Sequence, residues 1–97
     1  MAYDPGAIDQ ALSAAVGDDP ALIAELRAAF SDSARAALDA LALSGDAGEW
    51  HDRLLKLRGL AASFGAVRLA ALAGEALDAP IGDARALRLL RRNVERL

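Results

Sequence analysis

One face of a predicted helix in the second half of the chain carries the side chains best suited to chemistry or binding. At ~100° per residue, a helix over this segment places five residues on one side: His51, Leu55, Arg58, Gly59 and Ala62. A neutral imidazole can act as a nucleophile, and a guanidinium can pair with phosphate or carboxylate through two hydrogen bonds. The small residues keep the face flat. The pattern therefore favours a docking surface for a protein that carries an anionic group.

A different side of the same helix is apolar. Residues at spacings of four and three form a stripe that predicts a core face: Trp50, Leu54, Leu57, Ala61 and Phe64. Gly59 lies outside this stripe, and a glycine inside a helix costs about 1 kcal/mol relative to alanine. A helix that retains such a residue usually needs a close approach on that side, which again indicates docking.

A longer motif surrounds this face. Seven residues fill the pattern Ala-His-x-Leu-Lys-Gly-x-Ala-x-x-x-Gly-Ala and its following leucine: Leu57, Arg58, Gly59, Ala61, Gly65, Ala66 and Leu69. Gly45-Asp46 precedes the helix, and Gly17-Asp18-Asp19-Pro20 precedes an earlier one. At these residues the chain resembles the histidine-containing phosphotransfer (HPt) domain of bacterial phosphorelays, over most of its length. The resemblance implies a partner that is a response-regulator receiver domain or a histidine kinase.

The position of the phosphoacceptor histidine in this resemblance is occupied by Leu55. Leucine has no lone pair with which to attack an aspartyl phosphate, so the family's reaction cannot occur at this position. Arg58 stands where the family has the lysine that neutralises the phosphate and contacts the partner. The resemblance therefore implies a degenerate member that binds its partner and has no catalytic residue.

His51 offers an alternative as a displaced phosphoacceptor. It lies four residues before Leu55, on roughly the same side of the helix and ~6 Å away along its axis. Arg58 would then lie two turns from the imidazole, and Gly59 would lie too far along the helix to leave space for a partner at His51. The competing interpretation of His51 is an exposed polar residue near a helix start.

The elements that position this face are predicted to be helices. A short helix is expected from Pro5 to Val16, a second from Pro20 to the break at Ser44–Gly48, and a third from Glu49 to Phe64. A fourth is expected from Ala66 to Leu77, and a fifth after a turn, starting at Asp83. Short loops between apolar-striped helices predict an all-α antiparallel up-down-up-down four-helix bundle with a short N-terminal lead-in helix. Residues 1–97 form one domain in this interpretation.

The composition narrows the classes of function. The 97 residues include no cysteine, which excludes disulfides and thiolate metal sites and fits a reducing cytoplasm. Neither a signal peptide nor a membrane span is expected. No pattern indicates a metal or a cofactor. Residues 1–52 carry a net charge of −8 and residues 53–97 a net charge of +5. The basic half either attracts an acidic partner or pairs with the acidic half within the fold.

The last predicted helix is rich in arginine: Arg85, Arg88, Arg91, Arg92 and Arg96. Nucleic-acid binding is not expected, because the whole chain is acidic and no aromatic residue accompanies these arginines. Three hypotheses remain. The first is an HPt-like regulator that binds a receiver or kinase without carrying phosphate. The others are a phosphotransfer protein that uses His51, and a helical adaptor or dimerisation module unrelated to phosphorelay. The oligomeric state is left open.

Overall fold

The computed structural model describes residues 5–97, which form five helices and no strand. The helices are α1 (Pro5–Val16), α2 (Pro20–Ala42), α3 (Ala47–Ser63), α4 (Val67–Ala76) and α5 (Ala84–Glu95). Within this range no helix has both the length and the apolar character that crossing a membrane requires. The all-α prediction is confirmed for the described residues.

Aspartates begin three of the helices. Asp19 accepts hydrogen bonds from the backbone N–H groups of Ala21 and Leu22, and Pro20 follows it at the first helical position. Asp83 likewise accepts from the N–H of Ala86 at 2.8 Å. Each carboxylate satisfies backbone donors that have no partner inside the helix, and such caps stabilise a helix by about 1 kcal/mol.

The start of α3 lies two residues earlier than the sequence indicates. Asp46 caps this helix by accepting from the N–H of Glu49 at 2.8 Å, and the Glu49 carboxylate accepts from the N–H of Gly45 at 2.7 Å. This reciprocal pair places Ala47 and Gly48 inside the first turn, although glycine there is typical of a break. The expected fourth helix, from Ala66 to about Leu77, is one residue longer at each end than α4, which spans Val67–Ala76.

The helices pack as a ring. α2 contacts α3 and α5, α4 contacts α3 and α5, and α1 contacts α2. The predicted apolar stripe of α3 lies inside, with Trp50, Leu54, Leu57 and Ala61 all buried. Burying a leucine side chain contributes about 1.5–3 kcal/mol, so this stripe is a main source of stability.

Two specific contacts join elements that are distant in sequence. The indole Nε1–H of Trp50, near the start of α3, donates to the carbonyl oxygen of Ala76, the last residue of α4, at 3.2 Å. The ring of Phe64, just after α3, stacks on Phe30 of α2 with 4.8 Å between centroids. The first contact satisfies a helix-end carbonyl, and the second ties the end of α3 to α2.

α1 covers the turn between α3 and α4. Gly65 in this turn has φ +72°, and a Cβ built on it would lie 2.9 Å from the carbonyl oxygen of Ala7 and 3.0 Å from the Cβ of Ala11. Glycine is therefore needed for two reasons, the backbone conformation and the close approach of α1. The glycine at position 65 thus has a structural explanation within this fold.

We expect Gly65→Ala to destabilise the protein more than Gly82→Ala. Gly82 has a similar φ of +71°, but a Cβ placed there would meet no atom within 4 Å, so this variant isolates the backbone cost. That cost should be about 1–2 kcal/mol, and the crowding at Gly65 should add at least about 1 kcal/mol. Urea unfolding of both variants measures the difference. Equal losses would show that α1 does not pack on this turn.

Candidate functional site

The five residues singled out in the sequence lie together on α3, away from its buried stripe. We call His51, Leu55, Arg58, Gly59 and Ala62 the α3 outer face. Four of them are exposed, and Leu55 is half-buried. The arrangement follows from the core, because burial of the apolar stripe of α3 directs the residues on the neighbouring side of the helix outward.

Leu55 is more covered than an outer-face leucine is expected to be. The expectation is a substantially exposed side chain, and the structure gives an intermediate one. A helical leucine leans back over the turn before it, which here holds His51 and Asp52. The half-buried side chain still presents apolar surface at the centre of the face.

His51 is exposed to solvent and makes no close polar contact with another described side chain. Its side chain is 55 % exposed, and its Nδ1 lies 3.9 Å from a carboxylate oxygen of Asp52, beyond hydrogen-bond distance. Among residues 5–97 no side chain hydrogen-bonds to the imidazole. The described residues thus provide no base or carboxylate that would orient this ring for nucleophilic attack.

Arg58 lies against α4. A Cβ built on Gly74 would lie 3.7 Å from Cδ of Arg58 and 3.9 Å from one of its terminal nitrogens, so the stem of Arg58 passes over this glycine. In the part of the chain that the structure describes, Arg58 has no ion pair. An exposed guanidinium held along a neighbouring helix is available to an anion from outside.

Gly74 is a neighbour of this face that sequence reasoning missed. The sequence did carry a signal for this position. Gly74 lies inside α4, and a glycine inside a helix lowers the stability of that helix, as at Gly59. Its relation to Arg58 depends on how α3 and α4 pack, and no spacing within one helix reveals it.

Gly59 has open space on its outer side. A Cβ built on this residue would meet no atom within 4 Å, and its carbonyl oxygen accepts a hydrogen bond from Oγ of Ser63 at 2.9 Å. Nothing in the described fold therefore requires a glycine at this position. The absence of a side chain there leaves room for a body outside the chain.

Among the described residues, no three His, Asp or Glu side chains lie close enough together to hold a metal ion. What the face offers is a half-exposed leucine, an exposed cation and two small residues. That set suits docking by shape and charge.

Comparisons with known proteins add no identification. No protein-family model matches the chain, and neither a curated protein nor a solved structure matches it.

We expect Gly59→Ala to stabilise the isolated protein by about 0.5–1 kcal/mol, because it removes backbone entropy without meeting any atom. Chemical denaturation measures the change, and Gly65→Ala serves as the control that should shift in the opposite direction. A loss of stability in Gly59→Ala would mean that the fold itself needs this glycine, and no outside partner would then be required to explain it.

Proposed function

We propose that this protein is an HPt-like signalling module that binds a receiver domain or a histidine kinase through the α3 outer face and regulates it without carrying phosphate. The observation that carries the proposal is Leu55, half-exposed at the position that resembles the phosphoacceptor site. Beside it lie the open space over Gly59 and the guanidinium of Arg58, which has no ion pair among residues 5–97. Neither a catalytic residue nor a cofactor is assigned to the chain.

The proposed architecture is an antiparallel up-down-up-down bundle of α2–α5, with α1 as the lead-in helix. Connections of three to seven residues between helices that contact each other support it. So do two contacts between opposite helix ends. Trp50 near the start of α3 meets Ala76 at the end of α4, and Arg53 donates to the carbonyl oxygen of Ala40 near the end of α2 at 2.7 Å.

Binding in place of phosphotransfer follows from the side chain at position 55. An isobutyl group has no nucleophilic atom, but it can fill a pocket that would otherwise admit an imidazole. The resemblance implies that a receiver surrounds its own aspartate with acidic residues. Arg58 would pair with those carboxylates, and Gly59 and Ala62 would let the partner approach the helix closely.

Phosphotransfer through His51 is the second candidate, and the exposure of its imidazole favours it. Against it stands the distance to the cation, because seven residues along a helix separate His51 from Arg58 by ~10 Å. A phosphoryl group on His51 would lie beside Asp52, whose carboxylate repels it. The leading proposal avoids both difficulties.

The binding test uses calorimetric titration of receiver domains and kinases from the organism that encodes the chain. We expect Leu55→Ala to weaken binding by about tenfold and Gly59→Glu by more, since the latter adds bulk and negative charge facing an acidic pocket. Arg58→Ala should slow association and reduce its dependence on salt.

Matched controls lie on α2. Ala36→Glu introduces the same charge as Gly59→Glu, and Arg35→Ala removes the same charge as Arg58→Ala, both at exposed positions. These controls should bind as the wild type does. If a receiver or kinase binds and all three α3 variants match the wild type, the interface lies elsewhere. If no receiver or kinase binds, the helical adaptor or dimerisation module becomes the better account.

The phosphotransfer test incubates the wild-type protein with a receiver that carries radiolabelled aspartyl phosphate. We expect no acid-labile phosphohistidine on this chain, because Leu55 cannot accept the group. Leu55→His is the positive control, since it restores an imidazole at the resembling position. Label on the wild type that His51→Ala removes would replace the leading proposal with the second candidate.

A further inference from the structure

The outward side of α5 carries a line of arginines. Four of them recur at spacings of three, four and four and are all exposed: Arg85, Arg88, Arg92 and Arg96. We call these four the α5 arginine stripe. The opposite side of the helix is buried through Leu90, Asn93 and Val94, which fixes the stripe toward solvent. At 1.5 Å per residue the stripe is ~16 Å long.

The acidic half of the chain does not neutralise this stripe. Arg91, which lies beside the stripe, pairs with Asp39 of α2 at 3.2 Å. Between residues 5 and 97, none of the four stripe arginines forms an ion pair. Among the described residues, Arg91 is therefore the one arginine of α5 that pairs with a carboxylate of the acidic first half of the chain.

The stripe also acts against the helix that carries it. Like charges three or four residues apart destabilise a helix, and the stripe contains three such neighbours in succession. Arg92 and Arg96 gain from the negative end of the helix dipole, but Arg85 lies in the first turn, where the dipole opposes a cation. Glu95, three residues after Arg92, is the one acidic residue of α5, so folding by itself gives little reason for four arginines in this line.

We propose that the α5 arginine stripe binds a narrow acidic segment of another protein, whose carboxylates lie along it. Each guanidinium offers a planar pair of donors that matches a carboxylate. Carboxylates recurring every three or four residues on a facing helix would meet the stripe in register.

Charge beside the stripe favours a protein segment over a nucleic acid or a membrane. Both helices that pack against α5 carry exposed carboxylates, Asp39 on α2 and Glu75 on α4. Because a duplex or a bilayer is wider than one helix, it would meet more of these carboxylates than a single segment would. No large apolar side chain of α5 is exposed to enter a bilayer.

This surface is separate from the α3 outer face. α5 packs against α2 and α4, and α3 packs against the same two helices, so α3 and α5 lie across the ring from each other. The proposal therefore does not depend on the proposed function, and two partners could occupy the protein at once.

The test measures binding of fluorescein-labelled poly-L-glutamate by anisotropy. We expect salt-sensitive binding by the wild type and a loss of about tenfold in Arg88→Glu/Arg92→Glu. Position 88 has Arg85 and Arg91 three residues away and position 92 has Arg96 four residues away, but the two new glutamates repel each other, so the helicity of this variant is checked against the wild type by circular dichroism. Arg88→Gln/Arg92→Gln removes the charge only and should give a smaller loss in the same direction.

The control is Lys56→Glu/Arg68→Glu, which makes the same change in net charge at exposed positions of α3 and α4. It should bind poly-L-glutamate within about twofold of the wild type if the stripe is the site. An equal loss in the control, or no binding by the wild type, would overturn the proposal. So would tighter binding to a DNA duplex or to phosphatidylglycerol vesicles than to poly-L-glutamate.

Discussion

Burial of the apolar stripe of α3 is the interaction on which the rest of the molecule depends. Trp50, Leu54, Leu57 and Ala61 are each almost fully removed from solvent, and they contribute to a core shared with every other helix. Since a helix turns by ~100° per residue, fixing these four positions fixes the direction of all the others. The outward placement of Arg58 and Gly59 is a consequence of this core.

Much of the fold could be predicted because its signals are local. Aspartate before a helix, proline at its first position and apolar residues at spacings of three and four each act within one or two turns. Asp19, directly before the predicted start of α2, and Asp83, at the predicted start of α5, are the observed caps, and the stripe of α3 is buried. The start of α3 was less predictable, because Gly48 opposes a helix and only the exchange between Asp46 and Glu49 overrides it.

The positions of the residues on the α3 outer face could be predicted from the sequence, but the contacts around them could not. The helical period places His51, Leu55, Arg58, Gly59 and Ala62 on one side of α3, and that placement is what the structure has. The partial burial of Leu55 is seen only in the folded chain, and the passage of Arg58 over Gly74 depends on the packing of two helices. Neither is encoded in the spacing of residues along one helix. The roles of these residues stay proposals.

The contact between Trp50 and Ala76 makes the protein its own spectroscopic reporter. The chain has one tryptophan, which is 2 % exposed, and its indole N–H is bonded to the last carbonyl of α4. Its emission therefore senses water entering between α3 and α4. It lies on the buried side of α3, so a partner that settles on the outer face leaves it in the same environment. Intrinsic fluorescence can thus distinguish a ligand that docks without disturbing the packing of the helices from one that separates α3 from α4.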